Sequence, residues 1–140
     1  MSKHVDQLSV FLENRVGRLG EVTGVLAEAG IPIKSIELVE AGDFGILRLI
    51  VGETERAEKL LEAEGFSVKV SPVIAVEIAH ESGCFHRIVS LLAGEGINIQ
   101  YAYTCHGGPL GIFLLKTDPV EMLRAVEVLE EDGVKVLDAL

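Results

Sequence analysis

The sequence repeats itself at a fixed offset, and this constrains the fold more than any single motif does. Displaced by 66 residues, Leu8 falls on Ile74, Val10 on Val76, Leu12 on Ile78 and Gly17 on Gly83. "AEAGIPI" (27–33) falls on "AGEGINI" (93–99), and "GDFGILRL" (42–49) on "GPLGIFLL" (108–115). Near the end "AEGFSVKV" resembles "EDGVKVL", with two extra residues in the second copy. One supersecondary unit occurs twice, so two domains are expected, over 1–71 and 72–140.

Within each copy the hydrophobic period changes in a fixed order. Residues 6–13 alternate, with Leu8, Val10 and Leu12 on one face, as in a half-buried strand. Leu19, Val22, Leu26 and Ala29 form one helical stripe over 18–29, and Gly30 sits where a left-handed C-cap belongs. Residues 31–39 and 43–51 are β-branched and apolar around "EAGD", which predicts a hairpin. Residues 53–64 predict a charged helix with Ala57, Leu60 and Leu61 inward, stopped by Gly65, and 66–70 a short strand. The second copy predicts strands near 73–80, 97–104, 110–116 and 134–138, with helices near 84–95 and 118–131. The order β-α-β-β-α-β is the split ferredoxin-like unit: α+β, with antiparallel sheets and helices on one face. The join "VSPV" is too short to cross a sheet. A hairpin at Ser71-Pro72 is therefore expected, which would let the copies exchange their final strands. The strands at 31–39 and 97–104 would then lie at sheet edges, free to pair with another chain.

Charge narrows the partners. With 22 acidic against 12 basic residues the formal charge is −10. Such a chain repels nucleic acid and anionic membrane surfaces, so neither is an expected partner. No apolar run approaches the roughly 20 residues of a membrane span, and "MSKHVDQLSV" has no signal-peptide core. Two cysteines, Cys84 and Cys105, make no disulfide framework, so a cytoplasmic setting is expected.

The corner between the first strand and helix carries the chemistry. In "ENRVGRLGEVTGVLAEAGIPI" a strand ends at Asn14, turns at Gly17 and starts a helix near Arg18, leaving backbone N–H groups without helical partners. Such a bend is either a plain turn or an anion site at the positive end of a helix. Asn14, Gly17, Leu19, Gly30, Ile31 and Ile33 together resemble the signature of the ACT domain. The second copy keeps Gly83, Gly96, Ile97 and Ile99, with His80 in place of Asn14 and Phe85 in place of Leu19. The resemblance covers essentially the whole chain as a tandem pair. It implies a regulatory protein, not an enzyme, that binds a small ligand, most often an amino acid, at the corner near a domain interface. Under that resemblance the N–H groups of Val16, Gly17, Arg18 and Leu19 meet a carboxylate, and Asn14 offers its amide. Arg15 and Arg18 add positive charge. A facing wall would come from a second strand of the neighbouring copy or chain, such as Ser35 and Glu37 or Tyr101 and Tyr103. His80, Ser82, Gly83, Cys84 and Phe85 take the matching places in copy two, so the two corners cannot prefer one ligand equally. No cofactor is expected. A homodimer and an unidentified partner enzyme are.

Other readings are weaker. His80, Cys84, His86, Cys105 and His106 gather in copy two, but their spacing fits no zinc pattern. "GRLG" matches the G-x-x-G of KH modules, yet follows a strand in an acidic protein. Catalysis by Glu37, Glu40 and Asp43, by Glu77 and Glu81, or by a His80–Cys84 couple lacks any recognised motif. An interaction module that regulates a partner enzyme without its own ligand is the main alternative.

Overall fold

In the computed structural model, which describes residues 3–107 and 109–140, the first alternating stretch forms β1 (Val5–Glu13). It is followed by α1 (Arg18–Glu28), β2 (Ile33–Ala41), β3 (Phe44–Val51) and α2 (Thr54–Ala63). Then come β4 (Ser67–Ile78), α3 (Cys84–Gly94), β5 (Tyr101–Gly107) and β6 (Leu110–Lys116). A 3-10 turn at Pro119–Glu121 leads into α4 (Met122–Glu131), and β7 (Val136–Leu137) ends the chain. The chain divides into a first unit, Asp6–Ser71, and a second, Pro72–Leu140 with residues 3–5. No helix among the described residues is long and apolar enough to cross a membrane.

Each unit is the β-α-β-β-α-β fold read from the sequence. In the first, β1 and β2 flank β3 in antiparallel pairing, and β4 lies beside β1. In the second, β4 pairs with β6 and β7, and β5 pairs with β6, all antiparallel. The cores match position for position at the repeat offset. Leu8, Val10, Leu12, Val22, Leu26, Leu47 and Leu49 are buried in the first. Ile74, Val76, Ile78, Ile88, Leu92, Phe113 and Leu115 are buried in the second. Each fully buried aliphatic side chain contributes about 1.5–3 kcal/mol of burial free energy, so paired positions carry comparable weight.

The helix ends explain two shifted boundaries. Gly30 (φ 70°) and Gly96 (φ 72°) take the left-handed conformation past α1 and α3. The N–H groups of Ile31 and Ile97 then donate back to the Leu26 and Leu92 carbonyls at 3.0 and 2.9 Å. Those isoleucines belong to the caps, so β2 starts at Ile33 rather than 31 and β5 at Tyr101 rather than 97. Pro119, preset for a first helical turn, opens the 3-10 turn, and Asp118 accepts from the Val120 N–H at 3.0 Å.

The expected hairpin at Ser71-Pro72 does not form. Residues 67–78 are one strand, β4, running straight through the join. Val68 and Val70 pack on the first core, while Ile74, Val76 and Ile78 enter the second. β7 pairs with Ala75 and Val76 of its own repeat, so it is not exchanged. Proline lacks an N–H to donate to a ladder, but at position 72 it needs only the extended φ it already favours. The final strand is also shorter than expected, since ladder pairing is confined to Val136–Leu137.

Candidate functional site

The two corners share one backbone geometry. Gly17 (φ 93°, ψ −18°) and Gly83 (φ 85°, ψ −2°) precede α1 and α3 in the left-handed region, where a side chain is strained. The N–H groups of Arg18 and Cys84 turn back to the carbonyls of Arg15 and Glu81, at 3.4 and 3.3 Å. Those of Glu21 and Arg87 reach the Gly17 and Gly83 carbonyls at 3.0 and 2.9 Å. No side chain caps either helix, so first-turn N–H groups remain available to an added acceptor.

Beside the first corner lies a cavity of about 200 Å³ between the start of α1 and the β2–β3 hairpin. Leu12, Leu19, Leu38 and Val39 supply its apolar surface, and Gly45 opens its floor. Glu13, Asn14, Arg15, Arg18 and Glu40 supply polar lining. Asn14 fixes the spacing between the two walls. Its N–H donates to the Asp43 carbonyl at 2.8 Å and its Nδ2 to the Gly42 carbonyl at 2.9 Å, tying the corner to the hairpin turn. The amide that the sequence offered to a ligand thus has its donor half engaged within the protein.

The arginines are likewise partnered. Arg15 Nε meets Glu13 Oε2 at 3.0 Å, and Arg18 Nη1 meets Glu21. Arg18 also stacks on Phe66, with Cζ 4.5 Å from the ring centroid, and its buried Nε has no acceptor among the described residues. The positive charge expected at this corner is present but largely balanced, so the lining carries both signs.

Ser35 and Glu37 do not line this cavity. Ser35 pairs with Ile50 and Glu37 with Arg48, whereas Ile36 and Leu38 sit opposite the core residues Leu49 and Leu47. Cross-strand partners share a face, so Ser35 and Glu37 are on the face away from the helices. Glu37 there accepts from Arg48 at 2.8 Å, and the Ser35 hydroxyl is buried without a partner among the described residues. Val16 is fully exposed at the tip of the bend and, like Gly17, lies outside the lining. The wall residues that sequence reasoning missed are Leu38, Val39, Glu40 and Gly45. A glycine inside a strand, repeated as Gly111, was the available signal, because such a glycine often marks close approach of a ligand.

The second corner is differently furnished. A cavity of about 380 Å³ is bounded by the end of β4, the start of α3, Leu110 and the 133–135 segment. Ser82, Gly83 and Cys84 line it; His80, Phe85, Tyr101 and Tyr103 do not. The His80 ring instead lies over Gly111, 3.6 Å from where a Cβ on that glycine would sit. Phe85 packs edge-on against Phe113, centroids 4.8 Å apart. Tyr101 and Tyr103 pair with Lys116 and Leu114, a register that puts them on the face away from the helices. Of the two cations lining this cavity, Arg87 bonds Asp132 Oδ2 at 2.9 Å and the Asp132 carbonyl, bracing α3 against the end of α4, and Lys135 lies 3.6 Å from Glu77 Oε1. Among the described residues no three His, Cys, Asp or Glu side chains converge on a metal position.

Comparison with known proteins follows the same outline. A family described as an ACT domain pair matches residues 3–138. Protein BT0572 from Bacteroides thetaiotaomicron is 33% identical over 97% of this chain and 93% of its own, with a TM-score of 0.89. The ligand-free regulatory subunit of aspartate kinase from Thermus thermophilus superposes with a TM-score of 0.69 at 18% identity, covering 94% of each chain. The corresponding subunit from Thermus flavus gives 0.63 at 17%, over 94% of this chain and 93% of that one. No curated protein matches the chain.

Proposed function

The chain belongs to the family of ACT domain pairs, and from that premise we propose that it is a non-catalytic, cytoplasmic regulatory module that binds an amino acid beside the first corner. The observation that carries the reading is the cavity itself. It brings an uncapped helix start, an apolar floor and carboxylates within one small concavity. A zwitterion matches such a lining. Its carboxylate would lie at the first-turn N–H groups near Arg18, where the helix dipole favours negative charge. Its ammonium would face Glu13 or Glu40, and its side chain Leu12, Leu19 and Leu38. The first corner is preferred because its cavity is lined by Asn14, Arg18 and Leu19 together with the β2–β3 hairpin, whereas at the second corner His80 and Phe85 lie outside the lining.

Regulation would act by population shift, the ligand favouring the geometry or association state in which the first cavity binds it best. The aspartate kinase subunits of the same fold are regulatory by description. An enzyme of amino-acid metabolism is the corresponding class of partner here, and a homodimer through the β2 edge the corresponding assembly.

The test is a thermal-shift screen of the purified chain against the common amino acids. A ligand at a hundredfold its Kd is expected to add about 2.7 kcal/mol of stability. Silence across the whole set would favour a module that regulates a partner without a ligand of its own.

A further inference from the structure

The two units furnish one matching place differently. In the first, the Arg18 guanidinium lies over the Phe66 ring, Cζ 4.5 Å from its centroid, and pairs with Glu21. At the repeat offset Arg18 becomes Cys84 and Glu21 becomes Arg87. Phe66 becomes Val134, as the helix ends show. The Phe66 N–H donates to the Leu61 carbonyl and the Val134 N–H to that of Leu129, at 3.1 and 3.0 Å. A stacked cation and ring thus give way to two small side chains, and the carboxylate beside them to a cation. Cys84, Arg87 and Val134 all line the cavity of about 380 Å³. The rings that the second unit gains, Phe85 and Phe113 in place of Leu19 and Leu47, lie outside that lining. The two cavities also differ in position. The first lies against the β2–β3 hairpin, whereas this one is bounded by the 133–135 segment that follows α4.

We propose that the second cavity is a separate binding site for an aromatic carboxylate, a ligand that restores the missing ring and supplies the missing anion. The ring rests against Ile88, Leu110 and Val134, the place that Phe66 serves in the first unit. The carboxylate faces Arg87. Asp132 engages Arg87 through Nε and Nη2, which leaves Nη1 without a partner among the described residues. A guanidinium held in this way keeps a fixed direction and can donate from Nη1 to a carboxylate oxygen. Lys135 balances Glu77, 3.6 Å away, and Glu81 is exposed, where solvent screens it. An ammonium on the ligand would add a further cation beside Arg87 and Lys135, so an amino acid fits this cavity poorly. Binding here is independent of any ligand at the first corner.

Isothermal titration of the full chain with phenylacetate, joined to alkylation of Cys84 by N-ethylmaleimide, tests the site. Phenylacetate is expected to bind and, at saturation, to slow Cys84 alkylation by about fivefold or more, read by peptide mass spectrometry. Val134→Phe returns the ring of the first unit and is expected to weaken binding by about tenfold or more. Arg87→Gln keeps a donor but removes the charge, and is expected to weaken binding by about tenfold. Circular dichroism checks that both variants are folded. Phenethylamine, with the ring and the opposite charge, is expected to leave Cys84 unprotected, and so is L-phenylalanine. Absence of both heat and protection with phenylacetate, affinity unchanged by either variant, or equal protection by the amine or by L-phenylalanine would each overturn the proposal. A chain that takes phenylacetate at Cys84 but responds to no amino acid would sink the first-corner reading alone.

Discussion

Replacing Gly45 by leucine is expected to abolish the amino-acid response while leaving the chain folded. Gly45 lies on the helix-side face of β3, opposite Leu12 and Glu40, and forms the floor of the first cavity. Its backbone has no left-handed φ, so a side chain is not strained there. A Cβ would meet Leu38 Cδ1 at 3.2 Å and the Val39 carbonyl at 3.4 Å, and the leucine end can yield by a few tenths of an ångström. The isobutyl group then projects into a cavity of only about 200 Å³. Overpacking of a filled site commonly costs about 1–3 kcal/mol. Ligand affinity should therefore fall by about a hundredfold, at 1.4 kcal/mol for each factor of ten. Isothermal titration with whichever amino acid stabilises the native chain measures the loss. Retained affinity would place the ligand elsewhere. The matching Gly111→Leu change should leave that affinity unaltered, because Gly111 belongs to the second unit and is not among the residues lining the first cavity.

Truncating the core at matched positions should cost about the same in each repeat. Leu49 and Leu115 stand at the repeat offset, both fully buried, each on the central face of its sheet. Leucine to alanine in such a setting costs about 2–5 kcal/mol through lost burial and the cavity left behind. Urea denaturation of Leu49→Ala and Leu115→Ala is expected to give losses in that range that agree within about 1 kcal/mol. A large cost at one position and almost none at the other would mean that the repeat in sequence is not a repeat in energetics.

These expectations rest on features that differ in how plainly the sequence announces them. The core was legible because a strand period of two and a helix period of 3.6 recur at one offset, and each apolar position was read twice. The two bends were legible because only glycine adopts their φ cheaply. The far wall of the cavity was not. Taking Ser35 and Glu37 as that wall requires knowing which face of β2 turns inward, and a single-residue change of parity reverses it. The bulge at Lys34 makes that change: Ile33 packs on the core, and beyond the bulge it is Ile36 and Leu38 that stand opposite the core residues Leu49 and Leu47. Tyr101 and Tyr103 follow the same parity on β5, their neighbours Ala102 and Thr104 lying opposite the core residues Leu115 and Phe113. The continuous β4 was hidden for another reason. A proline between two apolar runs reads as a turn, and only the ladder partners reveal that it is a residue within a strand.

Ion pairing at the corner also escaped the sequence. Glu13 and Glu21 lie within three residues of the arginines they neutralise, but whether such exposed neighbours pair is decided by rotamers. Glu55 and Lys59, four residues apart on α2, do pair at 3.4 Å, between two exposed side chains. The contribution of this pair is only tenths of a kcal/mol, so it says little about stability.

The most direct measurement is an amide nuclear magnetic resonance titration of the isotope-labelled chain with an amino acid that raises its melting temperature. The account expects the largest shifts at Asn14–Leu19 and at Leu38–Gly45, with Gly83–Arg87 little changed. Shifts gathered around Gly83 instead, or scattered with none at Gly17 and Gly45, would contradict it.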